Sequence, residues 1–177
     1  MSNQLPSREQ ALALLRANNC SPLVVGHCKA VAKLAVETAK QLQKKGLSVD
    51  VDLVEVGALV HDIGRSKTHS VDHAVVGAEI ARAAGFPEAV IRIVKRHVGG
   101  GITKSEAEKL GWPEGTYMPV TLEEKIVSYA DKLVETNDER IPVEETINKF
   151  QARGLSASAD RVRKIHDEIA KMSGEKS

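Results

Sequence analysis

Between Ser21 and Gly46 the chain reads SPLVVGHCKAVAKLAVETAKQLQKKG, and its apolar residues recur at helical spacing for far longer than a strand would last. Ser21 followed by Pro22 reads as an N-cap and a first-turn proline, and Gly46 as the stop. The same punctuation recurs along the chain. Ser7 caps a first helix over roughly residues 8–18. A third helix runs from about Asp52 to Asp62, with Val54, Ala58 and Leu59 facing inward, until Gly64 breaks it. Asp72 is expected to cap a helix over roughly 73–84 that Gly85 ends, and Pro87 to open PEAVIRIVKRH, which runs into the triple glycine at 99–101. Ser105 with Glu108, and Thr121 with Glu124, fit the capping-box pattern. The first pair predicts a short helix before Gly111, the second a longer one through Asp131. Two more helices are expected at about 143–153 and 157–172, separated by Gly154. Strand signals are nearly absent, since Val49 to Val51 is too short and too polar.

These signs predict an all-α chain: one domain over 1–177, a compact multi-helix bundle whose core spans about 20–136, with the C-terminal helices over 142–172 packing on it. The last two helices either cover that core or pair with another subunit, so a homo-oligomer stays open. The terminal SGEKS is expected to fray. At 177 residues the chain is long enough for a single hydrophobic core.

Charge excludes some functions. The 25 basic and 24 acidic residues nearly cancel, and aromatics are 3% of the chain. A binder of long nucleic acid would carry a basic face or stacking rings, so that class is not expected, although a nucleotide is not excluded. No apolar run approaches transmembrane length, and MSNQLPSREQ lacks a signal pattern. Cys20 and Cys28 read as free, partly buried thiols of a reducing compartment. The expectation is a cytoplasmic protein with no membrane contact.

Against this background stands HDIGRSKTHSVDH at residues 61–73, which holds three of the six histidines. His27 falls in line with Val24, Val31 and Leu34 on the second helix. His61 and Asp62 end the third helix, His73 begins the fourth and His97 ends the fifth. Asp131 lies among Ile126, Val127, Leu133 and Val134. Burying a carboxylate alone is costly, and so is burying an imidazole without partners. Taken singly, His27 would read as a core histidine satisfied by a backbone carbonyl. Four histidines and two aspartates facing the core are better explained by divalent cations, because neutral imidazoles donate electron pairs and carboxylates supply charge and can bridge two ions. Adjacent helical residues point about 100° apart, so His61 and Asp62 need the loosened helix end at Ile63-Gly64 to aim at one place.

The ordered set His27, His61-Asp62 and Asp131, with HDIGR, resembles the HD-domain superfamily of metal-dependent phosphohydrolases. The string HDIGRSKTHSVDHAVVGAEIARAAGF resembles its HDIG subgroup, and RHVGGGIT and TLEEKIVSYADKL resemble an uncharacterised archaeal-type branch. The likeness covers most of 20–135. It implies a bundle of packed helices around the site, and that His27, His61, Asp62 and Asp131 ligate one ion. By the same resemblance His73 and His97 serve a second ion and Asp62 is shared. The implied cofactors are two divalent transition metals, iron or manganese before zinc, cobalt or nickel. The implied reaction is hydrolysis of a phosphate ester, mono- or diester, in a small molecule, a nucleotide foremost. Alternatives are a diiron oxygenase of the same superfamily and a non-catalytic nucleotide-binding protein.

Asp62 and Arg65 are the expected catalytic residues. A guanidinium beside a metal is suited to holding phosphate by two bonds. Arg65, Lys132, His69 and Gly100 are the expected substrate contacts, with Lys67, Lys95 and Arg96 as weaker ones. His69 reads equally as a solvated loop residue, and Gly99 to Gly101 as a helix stop. His166, Glu55 and Glu79 read as surface residues. The loop LGWPEGTYMP, residues 110–119, is a lid or docking loop, or else a plain connection.

Overall fold

The computed structural model describes residues 4–135 and 139–174. Among them are nine α-helices, here α1 (Arg8–Ala17), α2 (Pro22–Lys44), α3 (Val51–Val60), α4 (His73–Ala83), α5 (Glu88–Arg96), α6 (Lys104–Lys109), α7 (Leu122–Lys132), α8 (Val143–Ala152) and α9 (Ser156–Ser173). Extended pairing among the described residues is limited to the isolated bridges Ile102–Tyr117 and Val134–Arg140.

Local chemistry sets most boundaries. Ser7, Ser21, Asp50, Thr103 and Thr121 each cap a helix through a side-chain oxygen. Two expectations are corrected. The capping box of α6 is Thr103 with Glu106, not Ser105 with Glu108. Both pairs fit the pattern; the bridge from Ile102 to Tyr117 holds the preceding chain extended, so the helix begins two residues earlier. Asp72 stands at the N-cap of α4 but makes no capping bond, because its carboxylate accepts from the Trp112 indole (2.6 Å) and the Ser70 hydroxyl (3.0 Å). Of the SGEKS tail, 175–177 lie outside the described residues; Ser173 ends α9 and Gly174 is its left-handed cap.

Helix α3 is the axis of the fold. Val54, Val56, Ala58, Leu59 and Val60 are all buried, as expected for a helix whose second half, VGALV, is apolar on every side. Each such aliphatic side chain contributes on the order of 2 kcal/mol by leaving water. Helices α1, α2, α5 and α7 pack around α3. At the crossing with α5, a Cβ on Gly57 would lie 2.4 Å from Ile93, so close approach of the two helices requires glycine there. Helix α9 lies on α7 and α8, and its Ile165 and Ile169 enter the main core. Buried Glu124 links α5 to α7: both its oxygens accept from Arg96, at 3.0 and 2.9 Å. The two helices that end in His97 and reach Asp131 are thereby held in register.

The loop over 110–119 packs on itself and lies away from the cleft over Asp62: the Trp112 and Tyr117 rings meet at 4.8 Å, tilted by 54°, beside Ile102 and Ala107, and Lys95 sits over the Tyr117 ring. No described helix is long and apolar enough to cross a membrane.

Candidate metal centre

The six side chains named from the sequence come from five places in the chain and meet at one point. His27 belongs to the second turn of α2, and Asp131 to the last turn of α7. Helix α3 ends at Val60; His61 keeps helical dihedrals, whereas Asp62 departs from them (φ −99°, ψ 14°). That departure turns Asp62 toward the same space as His61. The following 3-10 turn, Ile63–Ser66, lies directly on α4, and a Cβ on Gly64 would come within 1.9 Å of the His73 carbonyl oxygen. Only a glycine lets the His-Asp corner sit so close to the helix that begins with His73. Ser128 of α7 donates to the His97 carbonyl (2.9 Å) and fixes the end of α5.

Asp62 stands between two pockets. Its Oδ2 lies 3.8 Å from His61 Nε2 and 4.0 Å from His27 Nε2. In that first pocket Asp131 Oδ1 is 2.9 Å from His27 Nε2 and 3.3 Å from His61 Nε2. The other oxygen, Oδ1, lies 3.1 Å from His73 Nε2 and 3.4 Å from His97 Nε2. His61 and Asp62 are buried, as are His73 and His97.

The ring orientations fit a cation. Nδ1 of His61, His73 and His97 each lies 2.7 Å from the carbonyl oxygen three residues earlier, that of Ala58, Ser70 and Val94. A carbonyl only accepts, so each Nδ1 carries a proton and each Nε2 is turned into the site, where it can hold a proton or a cation. His73 Nε2 and His97 Nε2 then face each other at 3.0 Å. Two lone pairs at that separation repel unless a positive charge lies between them. His61 Nε2 is buried without a hydrogen-bond partner. Donor type, lone-pair direction and the orphaned nitrogen together fit divalent metal ions, with His27, His61, Asp62 and Asp131 around one and Asp62, His73 and His97 around the other.

Electrostatics agree. Burial opposes charge on Asp62, but His61 and the close approach of His73 and His97 to Oδ1 hold its carboxyl well below the usual range. Burial likewise opposes charge on Asp131, yet Lys132, then His61 and His27, keep it ionised. Burial disfavours a charged His61, but the negative potential of Asp62, Cys28 and Asp131 raises its pKa well above the ordinary value. His97, desolvated by burial and beside the positive potential of His61, falls to about 4 and is neutral at pH 7.

An open cleft of about 440 Å³ leads to the first pocket, and His27, Asp62 and Asp131 form part of its floor. Arg65 and Lys132 stand beside that floor. Arg65 Nε donates to Asp62 Oδ2 at 2.8 Å, and Lys132 pairs with Asp131. His69 is exposed at the cleft. Gly100 is not at the cleft: it is buried against Arg161 and Val162 of α9, where a Cβ would meet Arg161 at 3.1 Å. The glycine run is a helix stop that lets α9 close on α7, so the expected substrate contact at Gly100 is withdrawn. Arg96 is committed to Glu124 and Lys95 to Tyr117. Glu79 and Glu55 pair with Arg82 and Arg8 on the surface. His166 is half-buried rather than a surface residue, with Nδ1 2.6 Å from the Tyr129 hydroxyl.

Sequence reasoning missed the far wall of the cleft. Lys149, Phe150 and Arg153 of α8 line it, as does Leu23, which lies beside the inward stripe of α2 and is 73% exposed. The one available signal was a large apolar residue placed off its helix's buried face. A wider depression, about 570 Å³, lies along α2 between Arg8, Lys33 and Glu55. It holds no histidine, and its Arg8 and Glu55 neutralise each other, so the cleft over Asp62 is where chemistry is possible.

Comparison with known proteins agrees with this geometry. The HD domain family model matches residues 24–135. An uncharacterised protein of Methanocaldococcus jannaschii is 49% identical over 163 residues, covering 91% of this chain and 95% of that protein. The tRNA (cytidine(56)-2'-O)-methyltransferase of Picrophilus torridus is 40% identical over 96% of this chain, but the chain spans only 48% of its length. Ribonuclease Y of Acidothermus cellulolyticus is 42% identical over 71 residues, 38% of this chain and 14% of that enzyme. Among solved structures, the HD domain of the L. monocytogenes phosphodiesterase PgpH in complex with cyclic-di-AMP superposes with a TM-score of 0.56 at 19% identity, covering 92% of this chain and 96% of that domain. At that identity the likeness speaks for the fold.

Proposed function

The chain belongs to the HD-domain family, and from that membership and the two pockets around Asp62 we propose that it is a metal-dependent phosphohydrolase acting on a phosphate ester of a nucleotide. The observation that carries the reading is the position of Asp62, with one oxygen turned to each histidine-lined pocket. Divalent cations, iron or manganese before zinc, cobalt or nickel, would be held by His27, His61, Asp62, His73, His97 and Asp131, and would supply Lewis acidity and a water acidified enough to attack phosphorus.

The chain's own groups do the rest. Nδ1–H bonds to Ala58, Ser70 and Val94 fix three imidazoles before any ligand arrives, so little reorganisation remains for the reaction. Asp62 and Asp131 stay ionised and keep the floor negative. Arg65 is tethered to Asp62 through Nε and to the His69 carbonyl through Nη1 (3.4 Å), which leaves Nη2 at the cleft to bind a phosphate oxygen. Lys132 adds a second positive charge at the same end. His69, exposed at the opening, would contact the substrate.

The nucleotide part of the reading draws support from relatives. A tRNA methyltransferase and ribonuclease Y carry related segments, and the PgpH domain was solved with a cyclic dinucleotide. The cleft volume of about 440 Å³ suits a small ligand.

The test is direct. Protein loaded in turn with each candidate metal is assayed for phosphate release or diester cleavage on a nucleotide panel, beside a His61→Ala variant. Turnover of at least one nucleotide, reduced more than about a hundred-fold in the variant, is expected. No turnover with any metal, or equal turnover by the variant, removes the proposal.

A further inference from the structure

The cleft has a floor and a wall of different origin. The floor of histidine and carboxylate lies within residues 24–135, the span shared with the family. The wall comes from α8, outside that span. Its position is built in: Ile141 N–H donates to the Leu133 carbonyl (3.0 Å), Val134 bridges to Arg140, and the buried Thr146 hydroxyl donates to the carbonyl of Lys132 at the end of α7. These bonds anchor α8 to the helix that carries Asp131.

One partly buried aromatic side chain on that wall faces the cleft. The chain has two phenylalanines. Phe86 packs against the apolar core. Phe150 is not among the side chains packed against any of the three apolar clusters of the described residues, and it lines the cleft instead. Leu23, the most exposed of the large apolar residues, lines the same cleft. The cations there are graded. Arg65, Lys132 and Lys149 each hold a carboxylate, whereas Arg153 has no ion pair among the described residues. A half-buried apolar ring that lines the cleft, beside positive charge and continuous with the phosphate end, matches a ligand with a flat apolar face and an anionic end.

We propose that α8 makes the nucleoside seat of the site: Phe150 stacks the base of a nucleotide whose phosphate lies at Arg65 and Lys132. Leu23 supplies further apolar contact, and selectivity for nucleotides over other phosphate esters resides in this wall rather than in the floor. The inference rests on the phosphohydrolase reading for which end of the ligand meets the floor; binding through Phe150 does not depend on turnover.

The experiment separates the two. Metal-loaded full-length protein is assayed on the four ribonucleoside 5′-monophosphates and on ribose 5-phosphate, which has no base. It is also titrated calorimetrically with adenosine and cytidine 5′-phosphonates, which have no ester to cleave. Phe150→Ala should raise KM for nucleotides and Kd for the phosphonates about ten-fold, with kcat and the ribose 5-phosphate parameters unchanged, since removing one stacked ring removes binding common to ground and transition state. Phe150→Leu, which keeps apolar volume without a ring, should behave like the alanine variant, and Phe150→Tyr should restore wild-type values. The inference is overturned if the wild-type protein binds neither phosphonate, if Phe150→Ala changes nothing, or if nucleotides and ribose 5-phosphate change alike. Phe150-dependent phosphonate binding without turnover of any ester would remove the hydrolase reading and leave the seat standing.

Discussion

The pockets on the two sides of Asp62 are made of the same residue types and are held very differently. His73 and His97 are buried, each is fastened through Nδ1 to a backbone carbonyl, and neither lines the cleft. His27 and Asp131 line the cleft, and His27 Nδ1 has no hydrogen-bond partner. The inner pocket is therefore ordered by the fold and closed off from the cleft. In the outer pocket His61 is fastened the same way, but His27 is oriented only by Asp131, and both of these line the open cleft. The difference teaches which half of such a site is scaffold and which is workplace: an imidazole tethered at one nitrogen is positioned by the fold, whereas an untethered one is positioned by its ligand.

The harshest way to break this comparison is to separate the halves. Gly64→Ala should destabilise the protein by more than about 3 kcal/mol, because the clash is with backbone that no rotamer change relieves. The denaturant midpoint reads it, and a near-wild-type midpoint would show that the 3-10 turn is not clamped on α4. Next is the loss of the shared ligand. Asp62→Ala should reduce bound metal, measured by elemental analysis after desalting, from roughly two ions per chain to well below one. His97→Ala should remove the inner ion and leave the outer, and His27→Ala the reverse; equal losses in both would mean the pockets do not bind separately.

A smaller effect sharpens the contrast between floor and wall. Thr146→Val leaves the Lys132 carbonyl without its donor and should cost about 1 kcal/mol in thermal or chemical unfolding, with metal content unchanged. The smallest concerns Cys20, whose thiol burial and the neighbouring Cys28 push from 9.0 up to about 11. A raised pKa favours the protonated thiol, so at pH 8 the reactive thiolate is about a hundred-fold scarcer than for an unshifted cysteine. Alkylation of native protein at pH 8 should be correspondingly slow and accelerate as pH approaches 11; fast modification at pH 8 would contradict the burial.

Much of the framework was legible because its causes are local. Ser7, Ser21 and Thr121 cap helices through bonds made within one turn, and the apolar spacing of α2 and α3 reports which face is buried. The six converging side chains were legible for a different reason: ionisable groups in apolar runs need a common explanation. What misled was equally physical. Thr103 and Ser105 offer the same capping pattern, and only pairing of Ile102 with Tyr117 chooses between them. Asp72 had the right chemistry for a cap, and Trp112, distant in sequence, took its carboxylate. His166 looked solvated on an amphipathic helix until α9 met Tyr129 of α7. Gly100 looked like room for a ligand, and the room was filled by α9.

Residue order alone thus determined that the chain is helical, where most helices begin and end, and which imidazoles and carboxylates must find cations or each other, since capping, periodicity and the cost of buried charge act over short stretches. Only the tertiary structure decided that Asp62 faces two ways, that one pocket is sealed and the other open, and that α8 walls the cleft with Phe150. Those outcomes depend on contacts between segments as far apart as His27 and Asp131, and no local rule carries the packing that brings them within 2.9 Å.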